Sequence, residues 1–521
     1  MTEISVPFEP HFGAFVIESL TLGMYGESRN AIREYVQNSF DSLRRAIADG
    51  LVLPDEARID VELDADRRGL TIKDNGSGLR TENAASVLAA IGASNKDYRL
   101  NAGFRGIGRL AGIVFCDRLT FTTKAKGQSQ FTEILFKAAM LREKLTPRGS
   151  YEKGAAETLA ECVEATRHDT KEVDKQYFKV RIEGLFNPPD ECVDAEAMRI
   201  FLSQVAPLPY DPKFPHAAEI REKAEAAGFP IDSVRLFVKD GNQEATELFK
   251  RYGADVRVKK DLTPITNMSF PRSPTGKWFG WVARKRVPGS IKDPWKGIRV
   301  RVRNIQIDDT RVMREIFAES WLTPDKSRIS YARFADWYVG EIFVAPTAAI
   351  PNARRDGFEE NDEWETIRNE LDLEVATPLG RQAYRTSKQD KLSVANLSTA
   401  MNTLVEAIEL LEAEGNPTTE KLDPQIETAS SLRIQIAQAI GIAEDNELEP
   451  LRALAARLGD TQRRLETLLA TAPAHSCEEE IGEAIAGLAK ELFRTFQERL
   501  APLEWQRVRA ILTEITGVSP D

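Results

Sequence analysis

Cysteine is scarce: four in 521 residues (Cys116, Cys162, Cys192 and Cys477), the nearest two 30 positions apart. Without paired spacing they make neither a disulfide framework nor a CxxC motif, and they read as reduced thiols of a cytoplasmic protein. Histidine is as sparse, and His11, His168, His216 and His475 are too scattered for a readable metal site. No apolar run nears the roughly 18–20 residues that span a bilayer, so no membrane partner is expected. The amino terminus, "MTEISVPFEP", lacks the basic-then-apolar layout of a secretory leader. No period of 20–50 residues recurs, which excludes a solenoid. Positive charge is in deficit as well: 70 Lys and Arg against 81 Asp and Glu leave a net charge of −11. Such a chain is a poor polyanion binder by bulk electrostatics, although a local basic patch remains open to it.

What is present is an ordinary globular composition, long enough for about three domains. Residues 1–125 alternate helical and strand patterns. "IDVELDA" (59–65) and "GLTIKDN" (69–75) read as paired strands, and "LTFTTKA" (119–125) as a third. Residues 126–176 are polar with weak periodicity and read as insertion or surface material. "YFKVRIEGLF" (177–186) returns to strand. This first unit is α+β. "PLPYDPKFP" (207–215) reads as a hinge. Strands such as "SVRLFVKDG", "KWFGWVARKRV" and "GIRVRVRNIQI" then dominate 230–350, and long amphipathic helices follow from about 360. The expected division is 1–215, 216–384 and 385–521.

Three motifs carry chemistry. "AIREYVQNSFDSLRRA" (31–46) spaces Glu34, Asn38 and Asp41 four and then three residues apart, which returns them to one helix face. Alone, that triplet reads as a solvated helix face. "IKDNGSGL" (72–79) ends a strand on Asp74, whose carboxylate can accept from an exocyclic amine such as that of adenine. Gly76 and Gly78 there let a flat ring approach the backbone. "NAGFRGIGRLAG" (101–112) places Gly103, Gly106 and Gly108 before an apolar helical run, a layout that offers free N–H donors to phosphate. A dinucleotide-binding fold is the usual competitor for such a loop. It fails here because no strand-first βαβ unit opens on the loop and the acid motif precedes it.

In this order the three motifs resemble the GHKL ATPase superfamily, which holds gyrase-type topoisomerases, the ninety-kilodalton heat-shock chaperones, MutL, MORC proteins and histidine kinases. The resemblance covers about the first 120 residues. It implies a Bergerat-type α/β sandwich that binds ATP and Mg²⁺, with a β-rich transducer domain and a helical C-terminal region behind it. Asn38 would ligate the metal. Glu34 would be the general base, and Asp41 would support the nucleotide face. Asp74, Gly76 and Gly78 would receive adenine. Residues 79–102 would form a lid presenting Ser94 and Lys96, and the stretch Gly103, Phe104, Arg105, Gly106, Ile107 and Gly108 would wrap the phosphates. The Glu four residues before the Asn sets histidine kinases aside. A threonine expected on a later strand is not found, since Tyr177 and Phe178 occupy that place.

In such dimeric ATPases the transducer supplies a cation to the γ-phosphate. "IPNARRDGFEEN" (350–361) offers Arg354 and Arg355, which could instead pair with Asp356, Glu359 and Glu360. The stretch 277–303 holds nine Lys or Arg against one acid, interleaved with Trp278, Phe279, Trp281 and Trp295. It reads either as a nucleic-acid surface or as a strand pair whose aromatics face a core. The expectation is a homodimeric, nucleotide-gated clamp on a protein client. The alternatives are a MORC- or MutL-like clamp on nucleic acid, or an ATP-bound scaffold that never turns over.

Overall fold

The computed structural model describes residues 12–20, 29–64, 68–92, 99, 101, 106, 108–146, 153–285, 287–319, 330–415, 417–443 and 445–472, with positions 490, 494, 497, 505, 508 and 509. The chain divides into two compact units, Met1–Tyr384 and Arg385–Asp521.

The first unit opens with helices α1 (Phe15–Leu20) and α2 (Arg29–Ala48), then the hairpin β1 (Arg58–Asp64) and β2 (Gly69–Asp74) and helix α3 (Thr81–Ala89). A 3-10 segment, Gly108–Phe115, precedes β3 (Arg118–Lys124), β4 (Gln130–Lys137), α4 (Ala138–Lys144), α5 (Ala155–Cys162), β5 (Val163–Asp169) and β6 (Tyr177–Glu183). Helices α6 (Ala195–Val205) and α7 (Ala217–Ala226) lead to β7 (Arg235–Asp240) and β8 (Thr246–Glu247). Among the described residues these strands form one eight-stranded sheet, ordered β5-β4-β3-β6-β2-β1-β7-β8.

Alternation sets the faces. In the β1–β2 hairpin Val61 pairs with Ile72 and Leu63 with Leu70, all buried. That same phase carries Asp74 inward at the strand end. Helix α2 lays Ile32, Val36, Phe40 and Leu43 into the core shared with Val61, Ile72 and Phe121. Helix α6 starts where the Asp194 carboxylate accepts from the backbone N–H groups of Glu196 and Ala197, satisfying two donors that a helix start leaves unpaired.

Two assignments made from the sequence change. The polar stretch 126–176 supplies β4 and β5, so it is sheet and not an insertion. In β4 Thr132, Ile134 and Phe136 face inward, a short alternation diluted by the charged, exposed edge strand β5. The strand at "SVRLFVKDG", read with the second region, pairs parallel with β1 as β7. Parallel partners lie far apart in sequence and leave no local signal.

The second sheet is built from β9 (Asp255–Val258), β10 (Asp261–Ser269), β11 (Trp278–Lys285), β12 (Gly297–Val302), β13 (Ile305–Ile307) and, after helix α8 (Arg311–Glu319), β14 (Val339–Val344). Its order is β13-β12-β14-β11-β10-β9. Both faces are covered: Trp278, Val300 and Ile342 share a core with α8 and helix α9 (Asp362–Leu371), while Phe279, Trp281 and Phe343 pack with Ile220 of α7 and with Phe214 just before it. The aromatics of the basic stretch therefore face cores, and Arg299 and Arg301 are buried among them. Helix α10 (Thr377–Lys391) follows.

The second unit contains α11 (Val394–Glu414), α12 (Thr419–Ile442) and α13 (Asp445–Thr471), whose Leu404, Ile408, Leu432, Ile436, Leu454 and Leu458 share one core. Ser393 caps the start of α11, and Gly415, left-handed at φ +83°, ends it. No helix of the described residues is long and apolar enough to cross a membrane.

Candidate active site

Glu34 and Asp41 are buried on α2 although both are acids, and Asn38 beside them is half-buried. The helix presses this face toward the Gly-rich segment and the end of β2. A side chain at position 108 would meet the Glu34 carboxylate and push it aside, so glycine there lets the acid lie against the segment. Tyr35 fixes the approach: its hydroxyl accepts from Gly112 N–H (2.9 Å) and donates to the Arg109 carbonyl (3.0 Å). The Arg109 guanidinium in turn donates to Gly106 O at 3.2 Å and to Val87 O of α3. Burial lowers the Arg109 pKa from its ordinary value.

At the end of β2, Asp74 Oδ1 accepts from Gly76 N–H at 2.9 Å, closing a tight turn. A Cβ on Gly76 would meet Ser42 of α2, so this turn touches the helix directly. Gly78 adopts φ +60°, and a side chain there would strike the Lys124 carbonyl at the end of β3. Thr123 Oγ1 accepts from Leu79 N–H at 2.8 Å, which ties the same turn to β3. The residue directly across from Asp74 is Phe178 of β6, and Thr123 lies across from Phe178 on the other side. A threonine therefore stands two strands from Asp74, with a phenyl ring between.

The second sheet contributes a cation. After β14 the chain makes a turn at 352–357 in which Asn352 N–H donates to Gly357 O (3.0 Å) and Asn352 Nδ2 to Asp356 Oδ1 (2.7 Å). Arg355 takes a left-handed conformation, φ +55°. Its Nε lies 3.2 Å from Glu34 Oε1, and both side chains are buried. Arg354 is exposed, and its carbonyl accepts from Arg33 Nη2 at 2.8 Å. Of the two adjacent arginines, the fold brings the second to α2. Arg355 meets Glu34, a partner from far back in the sequence, whereas Asp356 engages Asn352. Asp308, after β13, supports the turn: its N–H donates to Arg355 O at 2.7 Å, and its carboxylate accepts from Arg311 Nε at 3.0 Å. Burial first, then the neighbouring Asp309, pushes the Asp308 carboxyl up to about 6 against the pull of Arg311.

Ser94, Lys96, Gly103, Phe104, Arg105 and Ile107 lie outside the described residues. Arg33, Thr123 and Asp308 were not legible as site neighbours, because each reaches the site through a partner distant in sequence. Among the described residues no group of three or more His, Cys, Asp and Glu gathers to hold a metal unaided.

Residues 26–161, which hold α2, the β2 turn and the Gly-rich segment, match the family described as histidine kinase-, DNA gyrase B-, and HSP90-like ATPase. The chain thus carries a GHKL-type ATP-binding domain, distantly related to heat-shock-90-type chaperones. The chaperone protein HtpG of Chromobacterium violaceum is 26% identical over 126 residues, 20% of each chain. HtpG of Escherichia coli and of Klebsiella pneumoniae are each 27% identical over 135 residues, 22% of each chain. The match therefore spans about a fifth of these relatives' length.

Proposed function

We propose that the chain binds ATP with Mg²⁺ between α2 and the first sheet and hydrolyses it. The observation that supports this best is the buried Glu34–Arg355 pair beside Gly108, an acid and a permanent cation held where a terminal phosphate would meet an attacking water. Asp74 accepts the exocyclic amine of adenine, since a carboxylate has room for several donors. Gly76 and Gly78 leave space for the ring, and Asp41 supports the nucleotide face. Residues 103–108, with Ser94 and Lys96, hold the phosphates. Asn38 supplies the side-chain oxygen to Mg²⁺. One protein ligand suits an ion that normally completes its shell with phosphates and water. Bound there, the ion neutralises phosphate charge.

In the step itself, Glu34 takes a proton from water as its oxygen bonds to the γ-phosphorus. The bond from that phosphorus to the bridging oxygen breaks, and ADP leaves with the electron pair. Arg355 exchanges the Glu34 carboxylate for γ-phosphate oxygens, which frees the base as it steadies the developing charge. Replacing Glu34 with Ala should lower phosphate release about 10²–10⁴-fold while nucleotide still binds. Equal, background rates in both proteins would mean a non-hydrolysing scaffold.

At the level of the whole chain we propose a homodimeric clamp on a protein client, with 385–521 as the dimerisation or partner region. The burial of Arg299 and Arg301 disfavours nucleic acid as the load, because the most basic stretch spends these charges internally. DNA binding that falls steeply across a salt series would reverse that preference.

A further inference from the structure

Glu341, at the centre of β14, is fully buried, and its carboxylate collects donors from four separate segments. Tyr210 Oη donates to it at 2.6 Å and Lys250 Nζ at 2.9 Å; the Tyr252 hydroxyl at 3.3 Å, Trp281 Nε1 of β11 at 3.4 Å and Arg301 Nε of β12 complete the set. Trp281 Nε1 of β11 donates to the Tyr210 hydroxyl at 3.0 Å. Tyr210 and Lys250 belong to two of the stretches that run between the sheets. One leads from α6 toward α7, and the other leads from β8 to β9. These stretches pair with each other, Lys250 N–H donating to Pro209 O at 2.9 Å. Arg301 reaches further, with Nη2 donating to Gln204 O at the end of α6 (2.7 Å). Asn304 Nδ2 donates to Asp232 O just before β7 (2.7 Å).

The same two strands carry the arginine cradle. β14 runs on into the 352–357 turn, and β12 continues through β13 to Asp308, whose N–H holds the Arg355 carbonyl. A buried carboxylate and its cations tolerate little displacement, because separating them strands a charge in low dielectric.

We propose that the Glu341 cluster is a positioning device: it fastens these two inter-sheet stretches to β12 and β14 and so keeps Arg355 presented to Glu34. Each chain then carries its own arginine at its own acid before nucleotide or a second copy arrives. The kinetic consequence rests on the ATPase reading given above; the positioning itself does not.

The experiment uses the full chain and the variants Tyr210→Phe and Lys250→Met, the first a mild change that keeps the fold if the second does not. Hydrogen exchange is followed without nucleotide. Exchange at 350–358 and in the first half of α2 should rise about tenfold, with β3 and β6 unchanged. Unchanged exchange at the turn, or a uniform rise everywhere, overturns the proposal. Steady-state ATPase forms the second arm. The variants should lose about tenfold in kcat with little change in KM, and lose nothing further when Arg355→Ala is already present. Fully additive losses would show that the cluster acts independently of Arg355 and would overturn the proposal. If the exchange result holds but the wild type turns over no ATP, the positioning stands and the ATPase reading falls.

Discussion

Arg354 and Arg355 are chemically identical neighbours, and the fold separates them. Replacing Arg355 with Ala should cut kcat by about 10²-fold or more, as loss of a preorganised charge donor does, while Arg354→Ala leaves turnover near wild type. Phosphate-release assays on the two variants decide it, and equal losses would contradict the geometry. Lys250 allows a test of stability. Burial first, then Arg301, holds its ammonium down to about 7, although Glu341 accepts from it. Glu341 is pushed up by burial but held down to about 2 by Arg301 and Lys250. The two directions agree once the charges are counted: one carboxylate faces two buried cations, with Tyr210 and Tyr252 completing the cluster, so Lys250 is the surplus. Above pH 7 the folded chain sheds that proton before the unfolded chain does. Stability therefore gains from this group as pH rises from 7 toward 10.5, by more than about 1 kcal/mol. Urea unfolding of wild type and Lys250→Met at pH 6 and pH 9 measures it, and the variant should lack this gain. Glu341 acts at the other end, its contribution present above pH 4.5 and lost as pH falls through 2.

At the scale of elements, the sequence was most readable where a feature is local. Helix α2 and the β1–β2 hairpin declare themselves by period, and Asp74 stands out because its strand phase otherwise holds Leu70 and Ile72. Gly78 was legible as a turn residue, but its reason was not, since the carbonyl it must avoid belongs to Lys124 on β3. Gly78→Ala should therefore weaken ATP binding by at least about tenfold through strain in a left-handed position, measured with a fluorescent nucleotide analogue. The pairing of Arg355 with Glu34 was beyond reach of pattern. The acids nearest the arginine in sequence offered a plausible local answer, and only the packing of two sheets brings the distant one. The basic stretch left two readings open for a related reason: alternation in a strand covered on both faces looks like alternation on an exposed one, and the structure has its aromatics in cores.

For the whole molecule, the broad sequence order held: mixed helices and strands first, a β-rich middle, then helices. What the sequence could not show is that the chain crosses from the first sheet to the second and back before leaving for good after β8. If the clamp reading is right, scattering with a non-hydrolysable ATP analogue should report a more compact particle than without it; no change would sink that reading. The return of the chain as β7 also bears on how the protein can be cut. A fragment ending at residue 215 would strip β7 from β1 and open the edge beside Ile59, Val61 and Leu63. An unpaired apolar edge of that kind recruits other chains, so the fragment should be recovered as aggregate. Ending after β8 would instead uncover Tyr210, Phe214 and Ile220, which pack on the second sheet. The smallest piece to express alone is thus residues 1–384, and any screen that treats the nucleotide-binding portion as a free-standing module will discard a working protein as insoluble.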